Sequence, residues 1–263
     1  MDMSMCVVEW QNFITALSQE PAAMTVGVFD GVHRGHQALI ERIIRRGPLP
    51  TVVTFKQNPK KMIHPHSYGG DIFSLRQKLV VFEQLGVART ILIDFTENFS
   101  KLKGLEFFDL LKSRGNLVFL AIGSNFRCGY RLDTHAGDIK RVNEQDGVPT
   151  EVVQPVQETG CPVSSSRIRS AITAGDLAGA AVFLGRKTEL DLAGIPAEVY
   201  RRGKERGMVF DLFSQHRITP PDGRYAAILY GANASEGVKT EIFLEKGKVF
   251  VCAPFNAERV EFI

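Results

Sequence analysis

Residues 24–46 read MTVGVFDGVHRGHQALIERIIRR, and two periodicities meet in that stretch. Met24 to Phe29 is a short apolar run of β type. Leu39, Ile40, Ile43 and Ile44 then recur at helical spacing, with Arg42, Arg45 and Arg46 facing elsewhere. Gly47-Pro48 stops the helix, and TVVTF at 51–55 is the next apolar run. Strand, loop, helix, strand is the order of a βα unit.

Outward from this unit the same alternation fills the first two thirds of the chain. Candidate strands are 24–29, 51–55, 90–95, 117–123 and 150–154. The amphipathic stretches LRQKLVVFEQLG (75–86) and GLEFFDLLKSRG (104–115) each end in glycine, as C-caps would. An α/β fold with a mostly parallel sheet and crossover helices on both faces is predicted. After Leu184-Gly185-Arg186 the helical periodicity gives out. RYAAILY, KTEIFLE and KVFVCA, joined by Gly, Pro and Asn turns, predict a small antiparallel β unit. The expected domains are therefore 1–186 and 187–263, the second too short to be stable unless it packs on the first.

Composition narrows the function classes. Hydrophobic residues at 44% and charged residues at 23% exclude a disordered, collagen-like or mucin-like chain. A net charge of +3 over 263 residues gives no electrostatic footprint for nucleic acid. The run Arg201, Arg202, Lys204, Arg206, interleaved with Glu198 and Glu205, reads as a solvated loop. Apolar runs such as Leu117 to Ile122 fall far short of the ~20 residues that cross a bilayer. The opening MDMSMCVVEWQNF lacks a basic n-region and an apolar h-region, so a cytoplasmic chain with no membrane partner is expected. Cys6, Cys128, Cys161 and Cys252 are scattered without a CxxC pair, which predicts free thiols rather than a zinc site or a disulfide framework.

The chemistry concentrates between Gly27 and His36, where a strand runs into glycines and two histidines just before a helix. In an open parallel sheet the carboxyl ends of strands face the ligand crevice, and a helix starting there aims unpaired N–H groups at anions. Gly31 and Gly35 let backbone approach a phosphate with no Cβ in the way. His33 and His36, three apart, can donate hydrogen bonds to phosphate oxygens whose charge grows in a transition state. A single histidine near a helix start usually caps or packs; two of them with Asp30 and three glycines favour phosphate chemistry. The corresponding reaction is in-line attack of a phosphate oxygen on the α-phosphorus of a nucleotide, with pyrophosphate leaving. A second cluster, Val163-Ser164-Ser165-Ser166-Arg167-Ile168-Arg169, precedes another helical pattern. Ser164 or Ser165 can serve as an N-cap, and Arg167 can grip departing phosphates with its planar fork.

In order along the chain, GVFDGVHRGH (27–36), TFKQNP (54–59), GSNFRCG (123–129), VSSSRIR (163–169) and AGDLAGAAVFLGR (174–186) carry a resemblance. Over roughly residues 20 to 186 the chain resembles the bacterial bifunctional riboflavin kinase/FAD synthetases, in their N-terminal FMN adenylyltransferase module. That module belongs to the nucleotidyltransferase superfamily with a His-x-Gly-His signature. The resemblance implies a Rossmann-like nucleotidyltransferase domain that makes FAD and pyrophosphate from FMN and ATP. It implies that His33 and His36 contact the triphosphate and stabilise the transition state, within a nucleotide-binding turn of Gly27, Phe29, Asp30, Gly31 and Gly35. Arg167 would hold the β- and γ-phosphates with Ser165, flanked by Ser164 and Ser166. Asn58, Asn125, Phe126 and Arg127 would lie on the FMN side. Mg²⁺ would bridge phosphates rather than sit in a protein cage.

The chain departs from the family pattern at Val28, at Gln57-Asn58, at Asn125, at Cys128 and at Ser166. A larger departure follows Arg186. The family's riboflavin kinase barrel carries a Pro-Thr-Ala-Asn motif, and here the place is filled by GMVFDL (207–212). Glu241 in KTEIFLE is a candidate match for the kinase's catalytic glutamate, without a metal-nucleotide site beside it. A degenerate barrel and a monofunctional FAD synthetase are expected. The competing expectations are another small-substrate nucleotidyltransferase of the superfamily, and a flavin- or nucleotide-binding regulator that has lost turnover.

Overall fold

The computed structural model describes residues 4–202, 205–232, 234–252 and 256–263. The chain begins β1 (Cys6–Glu9), α1 (Trp10–Thr15), β2 (Ala22–Val26), α2 (Arg34–Arg46), β3 (Leu49–Phe55), α3 (Pro59–Ile63). It continues α4 (Leu75–Gln84), β4 (Arg89–Ile93), α5 (Glu97–Ser100), α6 (Gly104–Gly115), β5 (Leu117–Gly123). A short hairpin of β6 (Arg127–Cys128) and β7 (Thr134–His135) precedes α7 (Ala136–Gln145) and β8 (Thr150–Val153). A second, β9 (Gln157–Glu158) with β10 (Cys161–Pro162), leads to α8 (Ser165–Thr173) and α9 (Leu177–Leu184). Then come β11 (Glu189–Asp191), β12 (Ala197–Arg202), β13 (Glu205–Asp211), β14 (Gly223–Tyr230), β15 (Val238–Glu245), β16 (Lys248–Val251) and β17 (Arg259–Phe262).

Two units result, residues 1–66 with 78–162 and residues 67–77 with 163–263. This division differs from the boundary expected after Arg186, because α8 and α9 group with the later strands. Leu177 of α9 packs on the β core, the Arg186 guanidinium lies 5.6 Å from the Phe73 ring centroid, and Ser74 hydrogen-bonds Asp191.

The first unit is built on a six-stranded sheet of order β1-β4-β3-β2-β5-β8, with every neighbouring pair parallel. β2 is buried at all five positions, as expected of a strand covered on both faces. Trp10, Phe13, Phe107, Phe108 and Leu111 fill one side of the core, with Trp10 stacked on Phe107 at 5.4 Å between centroids. On α2, Leu39, Ile40 and Ile43 are buried as the pattern predicts, whereas Ile44 is 37% exposed at the edge of the stripe. Gly47 ends α2 in extended rather than left-handed backbone; a Cβ there would meet the Ala23 Cβ at 2.4 Å, so close approach to β2 is what requires glycine. Gly115 is the last residue of α6 and not its cap, and Asn116 takes the left-handed C-cap position (φ 49°) instead.

The second unit carries a seven-stranded antiparallel sheet of order β11-β17-β14-β15-β16-β13-β12. Alternate residues such as Ala227, Leu229, Ile242 and Leu244 point into its core. The basic run expected to be a loop is drawn into β12 and β13, whose backbones pair Arg201 opposite Arg206; residues 203–204 lie outside the described residues. Among the described residues no helix is long and apolar enough to cross a membrane. The four cysteines are unbridged.

Candidate functional site

β2 and β5 are neighbours, yet the chain leaves β2 for β3 on the opposite side. The strand order reverses between them, and in open α/β sheets that is where ligands bind, outside the carboxyl ends of the strands. The loop leaving β2 holds Gly27 to His33, and the loop leaving β5 holds Ser124 to Phe126.

The β2 loop is a tight, buried turn. Gly31 has φ 78°, and Phe29 and Val32 take positive φ (53° and 38°) although neither is glycine. Such residues cost on the order of 1–3 kcal/mol each and persist only where their surroundings over-determine them. Here the Val32 N–H donates to the Phe29 carbonyl at 3.1 Å, and the fully buried Phe29 ring packs edge-on against Phe82 and His36, at 5.6 and 5.0 Å. Gly27 donates to the Val53 carbonyl at 3.1 Å, and Asp30 is buried within the turn. Gly35 stands in the first turn of α2, where Arg34 pairs with Glu158 at 3.1 Å.

His33 is the N-cap of α2, and its Nδ1 accepts from the His36 backbone N–H at 3.3 Å. Capping and phosphate-facing roles are thus compatible in one residue: with Nδ1 accepting, the neutral ring carries its proton on Nε2 and can donate it. The His33 and His36 rings stack at 3.5 Å between centroids. Burial holds the His36 imidazole well below the usual histidine pKa, reinforced by the neighbouring His33 and the Lys78 ammonium. Among the described residues the buried His36 Nδ1 has no hydrogen-bond partner. An anion brought to this helix start would favour the protonated ring.

The other expected positions separate into distinct settings. Asn58 is 7% exposed and caps α3, its Oδ1 accepting from the Lys60 N–H at 3.1 Å. After β5, the Phe126 N–H closes a turn onto the Gly123 carbonyl at 2.9 Å and leaves Asn125 exposed. Phe126 itself turns into the core, edge-on to Phe108 at 6.3 Å, and Arg127 is exposed on β6 opposite His135. The neighbouring Cys128 thiol is pushed up to about 12 by burial and then by Asp133, which makes it a poor nucleophile.

Ser164, Ser165, Ser166 and Arg167 belong to the second unit. Ser164 caps α8, its Oγ accepting from the Arg167 N–H at 3.3 Å. Ser166 and Arg167 are exposed in the first turn, with the Arg167 guanidinium 6.0 Å from the Phe183 ring centroid. Also in this unit, residues 207–211 run within β13, and Glu241 is exposed and paired with Arg224 at 2.6 Å. Among the described residues no three His, Cys, Asp or Glu side chains gather as a metal site.

Sequence reading missed Lys78. It is 7% exposed, and its ammonium donates to the Phe55 carbonyl, Thr54 Oγ1 and the Val28 carbonyl at 2.8, 3.2 and 3.3 Å. The signal was available in LRQKLVVFEQLG: Lys78 stands three and four residues before the buried Val81 and Phe82, on the apolar stripe of α4.

A family model described as FAD synthetase matches residues 15–167. The bifunctional riboflavin kinase/FMN adenylyltransferase of Escherichia coli (strain K12) is 31% identical over 172 residues, 64% of this chain and 55% of that protein. The like-named protein of Bacillus subtilis (strain 168) is 29% identical over 217 residues, 79% of this chain and 67% of that one. The chain spans about half the length of the first of these relatives. A solved structure described as a macrolide-efflux protein from Streptococcus pneumoniae superposes with a TM-score of 0.79 at 22% identity, over 98% of this chain and 89% of that one, a likeness of fold alone. The matched span takes in β2 and its histidine turn, β3, β5 and the serine-capped start of α8, and the chain belongs to the FAD synthetase family.

Proposed function

We propose that the protein transfers AMP from ATP to FMN, yielding FAD and pyrophosphate, and does not phosphorylate riboflavin. The observation that carries this reading is the stacked pair His33 and His36 at the amino end of α2, beside the point where the strand order reverses. An FMN phosphate oxygen attacks the α-phosphorus in line; that P–O bond forms as the bond to the β-phosphate oxygen breaks, and pyrophosphate carries the electron pair away. His33 donates through Nε2, and α2 adds its unpaired N–H groups and the positive end of its dipole. His36, neutral beforehand, gains affinity for a proton as negative charge builds beside it. Ser164, Ser165, Ser166 and Arg167 are assigned to the leaving phosphates, Asn125 and Arg127 to the flavin side. Mg²⁺, a hard cation that keeps waters and takes phosphate oxygens, would neutralise the triphosphate from the substrate's side. The protein is read as cytoplasmic, with no nucleic acid or membrane partner.

Residues 1–186 are assigned to adenylyl transfer and 187–263 to a kinase-like β unit without kinase chemistry. The absence of Thr and Asn in GMVFDL (207–212) and the pairing of Glu241 with Arg224 support the second assignment. The test is incubation of the protein with Mg²⁺-ATP and, separately, FMN or riboflavin, with chromatography of flavins and a pyrophosphate assay. FAD from FMN and nothing from riboflavin is expected. Product from riboflavin overturns the second assignment, and flavin binding without pyrophosphate release moves the protein to the regulator reading.

A further inference from the structure

A lysine buried near the amino end of a helix is costly twice over, through lost hydration and through the helix dipole. Lys78 accepts both costs on α4, and its three donors meet three acceptors at the carboxyl ends of two adjacent strands: Val28 after β2, Thr54 and Phe55 on β3. Thr54 Oγ1 also donates to the Val28 carbonyl at 3.1 Å, which closes the group on itself. Val28 immediately precedes Phe29, whose φ of 53° is the first strained angle of the histidine turn. One helical turn beyond Lys78, Phe82 packs edge-on against the Phe29 ring, which in turn packs against His36. The same helix face therefore grips the peptide before Phe29 and the side chain of Phe29.

We propose that Lys78 is a positioning residue: with Thr54 and Phe82 it holds Phe29 in its left-handed conformation and so fixes where His33 and His36 stand. Groups that act on His36 include His33 on its own turn and Lys78 from α4, and Asp30 and Arg34 stand in the same turn. The catalytic consequence rests on the adenylyltransferase reading, but positioning is testable in substrate-free protein, so the two can fail separately.

The experiment is NMR on the full chain, following the His36 ring across pH and hydrogen exchange at the Val32 and His36 amides, in wild type and in Lys78→Met. The expected result is a His36 midpoint that moves up toward the ordinary histidine value and exchange at Val32 and His36 at least about tenfold faster than in wild type, with Ile40 unchanged. A folded Lys78→Met protein with an unchanged His36 midpoint and unchanged exchange overturns the proposal. If that variant does not fold, Thr54→Val decides: it keeps the cation and side-chain volume but removes one acceptor. Faster exchange confined to Val32 and His36 supports the proposal, and wild-type exchange there overturns it.

Discussion

The imidazoles of His33 and His36 lie face to face, 3.5 Å between centroids and 14° between planes, with the His36 N–H directed at His33 Nδ1. Burial, with His33 and Lys78 beside it, disfavours a proton on His36.

Replacing His36 by Ala should lower turnover of FMN and ATP by about 10² to 10³-fold, the scale for removing one transition-state donor. Steady-state kinetics with pyrophosphate release as the readout measures it. Near-normal turnover removes His36 from the mechanism.

The His36 pKa in the folded protein is lowered from 6.5, so the unfolded chain takes up its proton first as pH falls. The stability this neutral ring secures is fully present above pH 6.5 and is lost as pH drops from there toward the lower folded value. Urea denaturation of wild type and His36→Gln at pH 7.5 and 5.5 should show a smaller loss on acidification in the variant. Parallel losses in the two proteins would exclude His36 as the titrating group.

Arg167 is exposed, so Arg167→Ala should leave stability within about 0.5 kcal/mol of wild type. Its expected effect is on ATP alone, as a several-fold rise in the apparent KM for ATP with little change for FMN. An unchanged ATP dependence demotes Arg167 to the helix start.

The Asn58 side chain is engaged as the cap of α3. Asn58→Ala should cost about 0.5–2 kcal/mol, and Asn58→Asp, which also caps, much less. Thermal melts of the two variants distinguish this from a flavin contact, for which both would instead raise the KM for FMN at unchanged stability.

The local conformation of the histidine turn and of the serine-capped helix start is legible in the sequence. Glycines and histidines between an apolar run and an amphipathic helix state their conformation locally, and Gly31, His33 and Ser164 take the turn and cap positions their residue types favour. The packing of Phe126 edge-on against Phe108 of α6 is not legible in its motif, because the two meet only when the chain folds. Asn58, placed on the FMN side by the resemblance of its motif, is also the cap of α3, a role its residue type favours.

The sequence by itself determined the succession of strands and helices, the histidine turn and the change to antiparallel strands after Arg186, because periodicity and turn chemistry act over a few residues. Only the tertiary structure decided that β2 lies beside β5, that α8 and α9 group with the later strands, and that Lys78 is buried beneath the histidine turn. Those outcomes depend on which apolar faces meet across long stretches of chain, and on whether three acceptors from two strands converge where one lysine can reach them.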